Sequence, residues 1–269
     1  MEVAKLSKWS EYTDRLIRIL RIKASPVAVK IFRKGEVLPT GVRRPSEPLT
    51  FCQFAYLSRV HKEILLGTFS DIVCAYAQSF LGFADFPEDL YEGKRAAGRR
   101  TETAEAYKRL LSDMARIEPG TTEAVLTSPL EATPVDPDVI LLYVTPGQTT
   151  LLLHAATWKT GERIVVKTAA EAGTCGEAVA ATYLSRRPTI AFPCSGTRRF
   201  GQVEDDELIF AIPAFMMNEF MGWLEAIHRR LPYPVKRQVE FTPRPPLLYY
   251  IRREPMDKVE HSTPPEQKR

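Results

Sequence analysis

Closely spaced cysteine pairs are missing from this sequence. The four cysteines lie far apart, and no Cys-x-x-Cys occurs; they are Cys52, Cys74, Cys175 and Cys194. Zinc ribbons and bacterial ferredoxins both depend on such pairs, so these two classes are excluded. The four histidines show no ligand spacing and are interpreted as structural or surface residues.

Long apolar runs and strong net charge are also missing. No segment approaches the roughly 20 apolar residues that a membrane-spanning helix needs, and the first residues contain no apolar signal core. These absences predict a cytoplasmic protein without a membrane partner, whose cysteines stay reduced. The net charge of +4 is too small to predict nucleic-acid binding. The basic cluster from Lys94 to Arg100 is interpreted as a solvated face.

Common catalytic and nucleotide-binding motifs do not occur. The chain has no P-loop and no Gly-x-Gly-x-x-Gly turn. Ser195 follows Cys194 but does not lie in the Gly-x-Ser-x-Gly context of a nucleophile elbow. The usual dinucleotide-binding and serine-hydrolase classes are therefore not predicted.

The residues that are present predict a folded α/β or α+β protein with a mixed sheet and flanking helices. Hydrophobic residues make up 44% of the chain, as in ordinary globular domains. Apolar periodicity predicts helices at 5–22, 53–63, 107–117, 176–185 and 215–231, and strands at 27–32, 64–69, 123–128, 139–144, 164–167, 189–192 and 208–212. Residues 149–157 fit either type. One globular domain over 1–253 is expected, followed by a disordered polar tail at 254–269.

Two stretches of the chain resemble each other. Cys52 precedes Tyr-Leu-Ser-Arg and a short apolar run that leads to Cys74, and Cys175 precedes the same tetrapeptide and a run that leads to Cys194. This similarity suggests an internal pseudo-duplication, with halves at about 24–120 and 121–231. Such a duplication would place two cysteine pairs around a pseudo-two-fold axis.

The surroundings of the cysteines suggest reactive or ligating thiols. Cys52 and Cys175 precede predicted helices, and a helix N-terminus stabilises a thiolate. Cys194 follows a strand and precedes Gly196, which allows close approach of a ligand to the backbone. The spacing leaves three readings open for the four cysteines: ligands of a [4Fe–4S] cluster, ligands of zinc, or buried residues without a metal.

Particular blocks of the sequence resemble the domain of unknown function 169 family, an uncharacterised archaeal and bacterial group. The blocks are Pro26–Lys30, Phe51-Cys52, Cys74 with Leu81-Gly82, and Pro193–Arg198 followed by Asp206-Glu207-Leu208 and Ile212-Pro213. The resemblance covers residues 10–230. One departure is Ala-Tyr-Ala-Gln after Cys74, where the family pattern has glycine. The family supplies no assigned reaction, but its pattern implies that the cysteines act together and favours iron–sulfur over zinc.

The predicted function is therefore an iron–sulfur protein with four cysteine ligands and a small-molecule or redox partner. Two alternatives stay open. One is a metal-free module in which Ser195, Gly196 and Arg198, with Arg199, hold an anionic ligand. The other is a thiol enzyme with Cys175 or Cys194 as nucleophile. The apolar face at 215–231 is interpreted either as core or as a homodimer contact.

Overall fold

The computed structural model describes residues 7–234, which contain one six-stranded sheet. The strands are β1 (Val27–Arg33), β2 (Leu65–Gly67), β3 (Thr122–Pro129), β4 (Val139–Val144), β5 (Thr189–Ala191) and β6 (Leu208–Pro213). Their order across the sheet is β2-β3-β1-β4-β6-β5, and all five pairings are antiparallel. The predicted α/β class is confirmed. The sheet is antiparallel throughout, whereas the sequence suggested a mixed sheet.

Helices cover both faces of this sheet. They are α1 (Lys8–Leu20), α2 (Phe51–His61), α3 (Ala75–Phe80), α4 (Glu88–Tyr91), α5 (Ala104–Ser112), α6 (Pro146–Thr157), a π-helix (Gly173–Ala180), α7 (Ala181–Ser185), α8 (Ser195–Gly201) and α9 (Met217–Arg230). The helices α1, α6 and α9 pack on one face, and α2, α3, α5 and the π-helix pack on the other. Because β1 alternates its side chains, Val27 and Val29 enter the second layer while Ala28 enters the first.

Capping side chains fix where the helices begin. Thr50 forms a capping box with Gln53, so α2 begins at Phe51 and Cys52 lies in its first turn. Thr145 forms the same arrangement with Gln148 at the start of α6. Residues 149–157, whose periodicity fits either a helix or a strand, are therefore part of helix α6.

The sheet order is symmetric about the central pair β1–β4. On each side the first strand lies at the centre, the second at the edge and the third between them. Each edge strand also precedes a short helix with a cysteine N-cap: Cys74 caps α3 after β2, and Cys194 caps α8 after β5. In this arrangement β3 belongs with β1 and β2, whereas the predicted halves assign its residues to the second half, at about 121–231. The duplication itself stays a prediction.

Some sequence predictions differ from the structure. Residues 164–167 form no strand, and Val165 is 82% exposed, because no neighbouring strand pairs with this β-branched run. The helix predicted over 107–117 ends at Ser112. The apolar face of α9 packs against α6 and the sheet, so it belongs to the core.

Two further predictions concern the chain ends and membranes. The predicted tail at 254–269 lies outside the described residues. Within residues 7–234, no helix has the length and apolar character that crossing a membrane requires.

Candidate functional site

All four cysteines line one cavity of about 310 Å³. They come from four different elements: the first turn of α2, the N-cap of α3, the π-helix and the N-cap of α8. All four are free thiols, with Cys175 and Cys194 buried and Cys52 and Cys74 half-buried. The fold therefore brings together the thiols that the sequence keeps up to 142 positions apart (52 to 194).

Cys52 and Cys194 share one hydroxyl group. The Oγ1 atom of Thr197 lies 3.2 Å from the Cys194 sulfur and 3.6 Å from the Cys52 sulfur. Thr197 is fully buried, and its hydroxyl also lies 3.0 Å from that of Thr174. This buried threonine pair fixes the two thiols relative to each other.

Cys194 is the most acidic of the four thiols. A hydrogen bond from Cys52, together with donors on Thr197 and the Gly173 backbone, lowers the pKa of Cys194 to about 5. The same pairing with Cys194, together with burial, raises the pKa of Cys52 well above its ordinary value. The pair therefore holds one thiolate and one thiol, with the negative charge on Cys194.

Cys175 lies in a strained segment. The π-helix that contains it follows two left-handed alanines, Ala170 (φ 50°) and Ala172 (φ 48°). Both π-helical turns and left-handed non-glycine residues concentrate at functional sites. Burial raises the pKa of Cys175, and the nearby Cys74 and Cys194 raise it further.

Cys74 resembles Cys194 in position but not in acidity. It caps a short helix, and the backbone N–H groups of Tyr76 and Ala77 lower its pKa. Burial outweighs these donors and raises the pKa overall. Cys74 is therefore protonated at neutral pH in the absence of a bound group.

Two glycines let the cysteine segments approach each other. A Cβ atom on Gly173 would lie 2.4 Å from the Phe192 carbonyl oxygen and 3.0 Å from the Cys194 nitrogen. A Cβ atom on Gly201 would lie 3.3 Å from the Cys52 carbonyl oxygen. The close packing of α8 against the π-helix and α2 depends on these missing side chains.

Three arginines and one glutamate are the charged residues of the cavity lining. Arg95, Arg99 and Arg100 come from the loop between α4 and α5, and Glu171 comes from the strained segment before the π-helix. The Arg100 Nε atom lies 3.5 Å from a Glu171 carboxylate oxygen. Burial raises the pKa of Glu171, which opposes its ionisation beside the thiols.

A pair of tyrosines extends from the cavity into the core. Tyr76 lines the cavity, and its hydroxyl lies 2.7 Å from that of the fully buried Tyr107. Tyr107 in turn shares a hydrogen bond with Glu171. Burial raises the pKa of both phenols, so both stay protonated and act as hydrogen-bond donors.

The structure separates the predicted ligand-binding residues. Ser195 and Gly196 line the cavity beside Cys194. Arg198 lies outside its lining, where it donates to Asp205 at 2.6 Å. Arg95, Arg99 and Arg100 supply the positive charge in the cavity lining that the sequence prediction assigned to Arg198.

A larger cavity, of about 670 Å³, lies against the other side of the π-helix. It is lined mainly by apolar residues of the 165–169 segment, α5 and the π-helix, and it contains no cysteine. Its Glu177 carboxylate is held by Thr168 at 2.5 Å. The reactive side chains thus converge in the smaller cavity.

Comparison with known proteins places this site inside a region of the chain that a family model matches. A family model described as an uncharacterised ArCR family, domain of unknown function 169, matches residues 15–222. The chain belongs to the domain of unknown function 169 family. The matched region contains all four cysteines and all the arginines of the cavity.

The family assignment has further support from one relative. An uncharacterised protein of Methanocaldococcus jannaschii is 25% identical over 221 residues, which cover 80% of this chain and 93% of the relative. No solved structure matches this member of the domain of unknown function 169 family.

The loop arginines, Glu171 and Tyr76 are among the lining residues that sequence reasoning missed. The signal for the arginines is the basic cluster from Lys94 to Arg100, whose pattern alone favours a solvated face. Glu171 carried no signal, because its importance depends on the left-handed alanines beside it. Over residues 7–234, no three His, Cys, Asp or Glu side chains are placed to hold a metal ion together.

Proposed function

We propose that this chain binds a [4Fe–4S] cluster through Cys52, Cys74, Cys175 and Cys194. The observation that carries the proposal is the convergence of these four distant thiols on one small cavity. Thiolate sulfur is the donor that iron–sulfur clusters require. We further propose a cytoplasmic location, where free thiols persist, and a small-molecule or redox partner.

The charge of the lining supports this proposal. A cubane held by four thiolates carries net negative charge, and its stability depends on the surrounding charges and hydrogen bonds. Three arginines and a single carboxylate line the cavity. The arginines would offset the negative charge that four thiolates bring into a buried site.

A cluster and a single ion require different spacings of their ligand sulfurs. A tetrahedral zinc site needs sulfur atoms about 3.8 Å apart, because each Zn–S bond is about 2.3 Å. A cubane places its ligand sulfurs farther apart, because each thiolate binds a different iron atom. Cluster binding would break the hydrogen bond between Cys52 and Cys194 and move these two sulfurs apart.

Anaerobic reconstitution tests the proposal. The full chain, incubated with ferrous iron and sulfide and then desalted, is expected to keep both and to absorb near ~400 nm. Cys175→Ala and Cys194→Ala should each lose most of this absorbance. Ser112→Ala, at an exposed position on α5, should keep it.

Circular dichroism of each variant separates loss of ligation from loss of fold. A native chain that is folded but retains neither iron nor sulfide overturns the proposal. Full retention of the cluster in both folded cysteine variants does so as well.

A second candidate function is thiol chemistry at Cys194. The shared hydroxyl of Thr197 and the contact with Cys52 favour it, because they hold a thiolate beside a thiol. Alkylation of the iron-free chain tests it. Fast modification of Cys194 alone supports this candidate, and equal, slow modification of all four thiols contradicts it.

A further inference from the structure

The mouth of the cysteine cavity carries an unusual concentration of guanidinium groups. Arg99 and Arg100 lie within a tight turn that is closed by a hydrogen bond of 2.8 Å from the Gly98 N–H to the Thr101 carbonyl, and Arg95 precedes this turn. All three arginines are exposed and line the cavity. Exposed arginines in a row commonly face only water, whereas these three share a concave surface with reactive groups.

The three arginines differ in how far they are neutralised. Arg95 makes a two-pronged ion pair with Asp89, with both distances 2.7 Å. Arg100 forms an ion pair with Glu171 and donates a hydrogen bond to the Ser195 hydroxyl. The Arg99 side chain has no hydrogen-bond or ion-pair partner among residues 7–234. The lining therefore keeps positive charge that the protein itself does not satisfy.

Ser195 connects this charge to the thiols. It is the first residue of α8, directly after Cys194, and it accepts a hydrogen bond from Arg100. An anionic group held by Arg99 and Arg100 would thus lie at the open side of the cavity. The rest of the molecule would extend toward the cysteines.

We propose that this cavity binds a small carboxylate or phosphate anion between Arg99 and Arg100. Arginine forks match the paired oxygens of both groups. The cavity volume of about 310 Å³ lies at the lower end of small-molecule sites, which points to a ligand of few atoms. The inference rests on the proposed function in one respect, namely that both place a bound group in the same cavity. A cluster on the thiols would face the anion held by the arginines.

Isothermal titration of the iron-free full chain at low salt tests this inference. Succinate and inorganic phosphate are the two probes, and tighter binding of one identifies organic acids or phosphate compounds as the ligand class. Arg99→Gln and Arg100→Gln should each weaken binding about tenfold or more, because each removes a charge-assisted hydrogen bond. Arg109→Gln removes one exposed charge outside the cavity and should leave binding within about twofold.

Three outcomes overturn the inference. They are a folded native chain that binds neither probe, binding that survives both cavity variants, and binding that Arg109→Gln weakens equally. Iron and sulfide analysis of the reconstituted native chain, beside the titration, separates the two proposals. Anion binding by a native chain that retains neither iron nor sulfide overturns only the cluster, and cluster loading without anion binding overturns only this inference.

Discussion

Arg59 donates a hydrogen bond to the Glu207 carboxylate at 3.0 Å, and both side chains are largely buried. The same guanidinium donates to the carbonyl oxygens of Gly201 at 3.3 Å and Gln202 at 2.9 Å, at the end of α8. Arg59 lies on α2, which carries Cys52, whereas α8 is capped by Cys194. Arg59 therefore links the two helices that carry Cys52 and Cys194.

Arg59→Met is expected to lower the free energy of unfolding by about 3 kcal/mol, because it leaves the largely buried Glu207 carboxylate without its guanidinium partner. Urea denaturation measures the change. The matched control is Arg43→Met, which breaks an exposed ion pair with Glu63 and should cost at most about 1 kcal/mol. Equal effects of the two substitutions would remove Arg59 from this structural role.

Gly173→Ala is expected to destabilise the fold by about 1–3 kcal/mol, since its new methyl group would overlap backbone atoms of Phe192 and Cys194. The measurement is thermal or urea unfolding, together with iron and sulfide uptake. Gly222→Ala on α9 is the control, because a Cβ atom there meets nothing within 4 Å. That change should stabilise the helix slightly, by about 0.5–1 kcal/mol. A neutral Gly173→Ala would show that this close packing is dispensable.

Thr197→Val is expected to raise the pKa of Cys194 from its value of about 5, because it removes the hydroxyl that stabilises the thiolate. Because the lowered pKa keeps the native Cys194 thiol ionised, its rate of alkylation by iodoacetamide should rise near pH 5 and stay constant at higher pH. In the variant the rise should shift to higher pH. Mass spectrometry of the iron-free chain follows each cysteine.

Thr150→Val supplies the control for this titration, since Thr150 is exposed on α6 and remote from the thiols. It should leave the pH profile unchanged. An unshifted profile in Thr197→Val would mean that the shared hydroxyl does not govern the acidity of Cys194.

Glu171→Gln is expected to strengthen succinate binding several-fold, because it removes the one carboxylate that competes for Arg100 in the cavity lining. Titration calorimetry of the iron-free chain measures the effect. Glu105→Gln, at an exposed position on α5, should change the affinity little. Weaker binding in Glu171→Gln would assign that carboxylate to positioning Arg100 rather than to competition with the anion.

Local patterns predicted the elements well where side-chain burial alone decides them. The strand predicted at 139–144 has those bounds, because every residue of it is buried on one face or the other. The 164–167 run has the same β-branched character, but no strand lies beside it. Strand formation needs a hydrogen-bonding neighbour, and that neighbour is set by distant parts of the chain.

The site was harder to predict than the elements for the same reason. The sequence identified the four cysteines, yet their meeting depends on the sheet order and on close approaches at Gly173 and Gly201. The π-helix around Cys175 depends on a shift of hydrogen bonds that leaves no pattern in residue type. The loop arginines looked like surface charge because their concave setting is visible only in three dimensions.

The symmetric sheet has a consequence for the order of events during folding. Each half of the sheet supplies two of the four cysteines. Cys52 and Cys74 come from the half with β1, β2 and β3, and Cys175 and Cys194 come from the half with β4, β5 and β6. A nascent chain that has completed only its first side would hold half of the thiols and no closed cavity. Occupation of the site would therefore follow folding and report its completion, in contrast to zinc fingers, where metal binding drives the chain to fold.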